Sequence, residues 1–164
     1  MTIRACCDRE LPGVVKTLTA CQLPAPIHLR IVSPHVSEFD IESEAFAKRL
    51  LKLISHKNAA ISLLVDRKWI SDCILKNGQK PKLIEELEEI GVNIMTVRDL
   101  HAKIILLDAG KEKALLMGSS NFTHTAMHIS HEAGVYLLND VSGVIERIDE
   151  YVSRLYRFAQ PMME

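Results

Sequence analysis

Two short runs in the second half of the chain carry side chains able to do chemistry together. The first is His101-Ala102-Lys103, followed by four aliphatic residues and Asp108. The second is Gly118-Ser119-Ser120-Asn121, which follows another apolar run, "KALLMG". An aliphatic strand gains nothing from an unpaired imidazole or ammonium, because burying such a charge is costly. If His101 and Lys103 lie in a strand, they share one face about 7 Å apart. A nucleophile or proton carrier then stands beside a fixed cation. A hydroxyl and a side-chain amide brought alongside by a hairpin supply donors for an anionic oxygen. That combination describes a site for a phosphoryl group.

The elements that must position these residues can be read from the pattern. Residues 10–21 fit a short helix, peripheral within residues 1–26. "IHLRIVS" (27–33) and "AAISLLVD" (59–66) read as strands on either side of an amphipathic helix over 43–57. "RKWISDCILKNGQK" (67–80) reads as a polar, basic connection without clear structure. Pro81 opens the next helix and Gly91 closes it, the usual asymmetry of helix ends. Strands follow at 92–97, 101–108, 113–118 and 132–139, with a hairpin turn at "AGKE", and a last helix spans about 142–158. Alternating strands and helices with continuous apolar strands predict a single α/β domain over 1–164. Its expected form is an α-β-α sandwich around a mostly buried mixed sheet.

Composition narrows the classes. The chain has 164 residues, 48% hydrophobic and 25% charged, as in ordinary globular proteins. No apolar run approaches the roughly 20 residues that span a bilayer. The first residues carry charge where a signal peptide needs an apolar core, and the four cysteines form no C-x-x-C pair. Together these lead to the expectation of a cytoplasmic protein with free thiols and no stable membrane association. Between Ala45 and Leu83 there are nine Lys or Arg against two acids, a net +7 in a chain of net charge −1. Such a segment is either a solvated helix face or a footprint for phosphate backbones.

H-x-K-x4-D followed by G-S-x-N resembles the signature of the phospholipase D superfamily. His101, Lys103, Asp108, Gly118, Ser119 and Asn121 stand in the matching order. Glu132 matches a glutamate of the single-motif nucleases of that family, and the likeness extends from about Ile27 to the C-terminus. The nine residues between Asp108 and Gly118 are more than the family pattern has, and the excess falls in the turn. The resemblance implies a phosphodiesterase without cofactor or metal, in which His101 attacks phosphorus covalently and a second histidine protonates the leaving oxygen. Lys103, Ser119 and Asn121 would hold the phosphoryl oxygens, and Glu132 would orient the His101 ring. Asp108, too far along the strand to reach the reaction, reads with Gly118 as structural. Only one copy of the motif is present, so a two-fold homodimer is expected, with the site at its interface. Single-motif members resemble endonucleases, which makes nucleic acid the first candidate substrate. Arg67, Lys68, Trp69 and His124 are then candidate substrate contacts.

Other readings compete. His124, His128 and His131 are spaced for a metal, but the glutamate expected between the first two is absent. A phospholipid-directed phospholipase or phosphatidyltransferase would use the same chemistry on another ester. A catalytically idle, dimeric nucleic-acid-binding module would have no use for the His101 nucleophile.

Overall fold

The computed structural model describes all residues except 1, 8–10, 20–22, 25, 38–39, 42–43, 124, 127–131, 140–141 and 163–164. Along the chain come β1 (Thr2–Cys7), α1 (Leu11–Leu18), β2 (His28–Val32) and a small hairpin of β3 (Asp40–Ile41) and β4 (Glu44–Ala45). Next are α2 (Phe46–Lys57), β5 (Ala60–Asp66), α3 (Arg67–Asn77), α4 (Lys82–Glu89) and β6 (Asn93–Val97). The hairpin β7 (Ile104–Ala109) and β8 (Glu112–Gly118) leads to β9 (Ala133–Leu138), the C-terminal helix (Val144–Phe158) and β10 (Gln160–Pro161). The main sheet has eight strands in the order β1-β9-β8-β7-β2-β5-β6-β10. Strands β2, β5 and β6 run parallel, and the other pairings are antiparallel.

Both faces of the sheet are covered, which explains the continuous apolar strands. Ile105 and Leu107 of β7 face a core shared with Val15 of α1, Leu50 of α2, Ile70 of α3 and Ile84 of α4. The alternate residues, Ile104 and Leu106, pack toward Ile145 and Val152 of the C-terminal helix. Polar contacts fix that helix: Arg30 on β2 pairs with Asp149 and donates to Ser153, and Tyr156 donates to Ser62 of β5 at 2.8 Å. The α-β-α sandwich and mixed sheet are therefore as the pattern predicts.

Three local expectations are corrected. Residues 67–77, which the pattern leaves without clear structure, form a helix. Asp66 caps it by accepting from Trp69 N–H, and Gly78, at φ 69°, closes it with a bond to Ile74 O. Ile70, Ile74 and Trp69 seat it on the core, while Leu75 of the same helix stays exposed. At the N-terminus, a strand precedes the expected helix: β1 pairs with β9 from Thr2↔Leu138 to Cys7↔Ala133. Finally, residues 101–103 precede β7 instead of belonging to it, because β2, its pairing partner, reaches only as far as Val32↔Ile104.

Candidate active site

The parallel strands β2, β5 and β6 end at one edge of the sheet, where the chain passes through Pro34, Asp66 and Asp99. Open α/β sheets bind ligands outside the carboxyl ends of such strands. A groove of about 660 Å³ opens at this edge. His101, Lys103 and Asn121 line one side, and Lys68, Trp69, Asp72, Cys73 and Lys76 of α3 line the other.

Each motif residue is placed by a neighbour. Leu100 is buried in the sheet core, and its N–H donates to Asp66 Oδ2 at 3.0 Å. Asp99, in the left-handed region at φ 56°, turns the chain sharply just before it. His101 follows directly and is exposed to the groove. Lys103 Nζ donates to the His101 carbonyl at 2.9 Å, which holds the ammonium beside the histidine without any strand pairing between them.

Asn121 is held through the next residue. Phe122 is buried against Phe46, with ring centroids 4.8 Å apart, and its N–H donates to Ser33 Oγ at 2.9 Å. Ser37 N–H donates to Phe122 O at 2.9 Å, and Val36 bridges Phe122 in parallel. Asn121 Oδ1 is buried with no hydrogen-bond partner among the described residues.

Ser119 and Glu132 do not line the groove; they form a pair at the end of β8. Ser119 Oγ donates to Glu132 Oε2 and accepts from Ala133 N–H at 3.2 Å, while Ser119 N–H donates to Ala133 O at 3.0 Å. Glu132 thus accepts from Ser119, and this bond joins the end of β8 to the start of β9. Gly118 is required by the same close approach: a Cβ there would lie 2.4 Å from Ala133 O. Asp108 sits at the opposite end of β7, where Oδ1 accepts from Gly110 N–H at 3.0 Å and Lys113 Nζ lies 3.9 Å from Oδ2.

The candidate substrate contacts divide. Lys68 and Trp69 line the groove. Arg67 instead donates to Thr96 Oγ1 at 3.3 Å and to Thr96 O at 3.5 Å, tying α3 to β6. His124, His128 and His131 lie outside the described residues. The basic segment divides too: Arg49 is buried, with Nε donating to Thr19 Oγ1 and an Nη group to Lys16 O at the end of α1. That charge serves the fold.

Ser33, His35, Asp66, Lys76 and Phe122 were not singled out by residue type. Once 67–77 is seen as a helix, Lys68, Asp72 and Lys76 fall on one face at successive turns, a signal present in the sequence. Burial pushes the Cys73 thiol above its usual range, opposed by Lys76 and reinforced by Asp72. It therefore stays protonated and is a poor nucleophile.

Residues 22–156 match the family described as cardiolipin synthase, PLD-like domain. The chain belongs to the phospholipase D-like family. Among solved structures, this phospholipase D-like chain is similar to Nuc, a phospholipase D family member from Salmonella typhimurium, at TM-score 0.73 and 15% identity over 99% of each chain. NucT from Helicobacter pylori superposes at TM-score 0.67 and 12% identity, over 98% of this chain and 100% of that one. The phosphatidylserine synthase of Haemophilus influenzae gives TM-score 0.67 and 13% identity, over 98% of this chain and 40% of that one. At these identities the likeness is one of fold. No curated protein matches by sequence. No described helix of the phospholipase D-like chain is long and apolar enough to cross a membrane.

Proposed function

We propose that this phospholipase D-like protein is a metal-independent phosphodiesterase, acting on nucleic acid through a phosphohistidine at a composite homodimer site. The observation that carries it is the convergence of His101, Lys103 and Asn121 on one groove. A ring nitrogen of His101 forms a bond to phosphorus as the P–O ester bond breaks. The leaving oxygen takes a proton from the partner's His101. Water then adds to phosphorus, returns that proton to the same imidazole, and the N–P bond breaks. Lys103 and the side-chain N–H groups of Asn121 offset charge on the non-bridging oxygens, with Ser119 held in place by Glu132.

One motif stands in these 164 residues, and in this reading a second copy of the chain supplies the general acid. Met117 and Val135, cross-strand partners beside the site and exposed by 36% and 41%, offer apolar surface for that contact. Nuc and NucT, similar over nearly their whole length, support the nuclease reading, whereas phosphatidylserine synthase keeps phosphatidyl transfer as the second.

The test incubates the protein in chelator with a labelled bis-aryl phosphate, oligonucleotides and phospholipid vesicles, with alkaline quenching to preserve phosphohistidine. Turnover of diester and oligonucleotide, label on the wild-type chain and none on His101→Ala are expected. Full activity of His101→Ala, or of a monomer, would overturn the assignment. Turnover of vesicles alone would give the site to lipid chemistry.

A further inference from the structure

The catalytic residues account for one side of the groove only. The other side is a face of α3 carrying Lys68, Asp72 and Lys76 at successive turns, with Trp69 and Cys73 beside them. We propose that this face is a base-stacking subsite that admits single-stranded nucleic acid and disfavours duplex, with Trp69 as the platform and Lys68 and Lys76 as phosphate contacts. This rests on the reading of the groove as a phosphodiesterase site.

Trp69 is suited to the role. It is half-buried, packed against the core on one side, and lines the groove on the other. His35 braces it, with ring centroids 5.8 Å apart and planes tilted by 37°. A braced indole has little orientational freedom left to lose when a base stacks on it. Lys68 and Lys76 are eight residues apart, about 12 Å along the helix axis. They therefore flank the indole along the groove that leads from His101.

The balance of charge decides between single strand and duplex. Lys68, Lys76 and Lys103 line the groove together with Asp66, Asp72 and Asp99. A groove so nearly neutral draws little affinity from counterion release, which is the main handle a duplex offers. A single strand also exposes the faces of its bases, and stacking on an aromatic side chain is tolerant of sequence. Affinity should therefore come from stacking, with a shallow dependence on salt.

Trp69 is the sole tryptophan of the chain, so its fluorescence reports directly on the subsite. His101→Asn protein, silenced for turnover, is titrated with a single strand of about 12 nucleotides, an abasic strand of the same length, and the duplex. The single strand should quench the emission and bind at least tenfold more tightly than the other two. In the active protein, Trp69→Leu keeps apolar packing but cannot stack as an indole does. It should lower kcat/KM for the oligonucleotide about tenfold relative to the bis-aryl phosphate, with Trp69→Phe between. Equal binding of abasic or duplex ligands, no nucleic-acid binding at all, or equal losses on both substrates would each overturn the subsite. Diester hydrolysis by His101→Ala would instead overturn the phosphodiesterase reading and leave the stacking result standing.

Discussion

Leu100 and Asp66, 34 residues apart in sequence, are joined by a 3.0 Å hydrogen bond from the Leu100 N–H to Asp66 Oδ2. The other carboxylate oxygen, Oδ1, accepts from Trp69 N–H at 3.0 Å. One side chain thus caps α3 and fixes the residue before His101, so the two sides of the groove are set by a common anchor.

Asp66→Ala should remove both bonds. Loss of a helix cap costs about 1 kcal/mol, and the second bond adds a similar amount. The expected signature is a lower urea midpoint together with a fall in kcat on the bis-aryl phosphate, since His101 loses its fixed backbone. Asp66→Asn keeps one carbonyl acceptor and should lie between. A kcat unchanged in the alanine variant would show that His101 does not depend on this anchor.

Ser33 plays the matching part for Asn121. Its hydroxyl donates to His35 O at 2.6 Å and accepts from the buried Phe122 N–H. Ser33→Ala leaves that amide buried without its acceptor, a loss of about 1–3 kcal/mol. Turnover should fall with it, because Asn121 has no described side-chain partner of its own to keep it in register. Stability from urea melts and kcat from initial rates should move together. A stability loss with normal kcat would separate Phe122 from the position of Asn121.

Gly118→Ala tests the close approach of β8 and β9. Its Cβ would meet two backbone groups, Ala133 O at 2.4 Å and Gly134 Cα at 2.7 Å, neither of which can swing aside. Overpacking of this kind costs about 1–3 kcal/mol. The strain falls on the Ser119–Glu132 pair, so diester turnover should drop beyond what stability explains. Wild-type melting and rates would show that the strands separate freely at this point.

Much of this was legible in the sequence where period and residue type agreed. The apolar runs at 59–66 and 113–118 became strands because both faces of the sheet are buried, and Pro81 and Gly91 bounded α4 as expected. His101 and Lys103 were found by type, but their placement was not. Strand alternation does not reach them, because they lie beyond the end of β2, and the contact that joins them is from an ammonium to a backbone carbonyl. α3 is hidden because its apolar residues do not gather on one face, Ile70 being buried and Leu75 exposed, and the cap that identifies it belongs to Asp66, the last residue of a strand. Arg49 misled in the opposite direction, since a charge count cannot tell a solvated guanidinium from one buried at a helix end. Ser33 and Phe122 act through tertiary contacts across 89 residues, which no local pattern reveals.

The opposite face of the sheet gives a prediction in pH. Burial raises the Tyr156 phenol above 10.0, against smaller opposing effects of its hydrogen bond to Ser62 and the nearby Arg30. The folded protein therefore keeps this proton at a pH where the unfolded chain has lost it. The neutral phenol's contribution is fully present below about pH 10, the unfolded value, and is lost as pH rises through the higher folded value. The slope contributed by this one group approaches about 1.4 kcal/mol per pH unit within that window. Tyr156→Phe should abolish that part of the slope, and at neutral pH it should cost about 1 kcal/mol for the lost bond to Ser62. Urea midpoints between about pH 8 and pH 11 measure both effects, because the lysines common to the two proteins titrate equally in each. Parallel curves would show that the C-terminal helix holds its tyrosine without a penalty for ionisation.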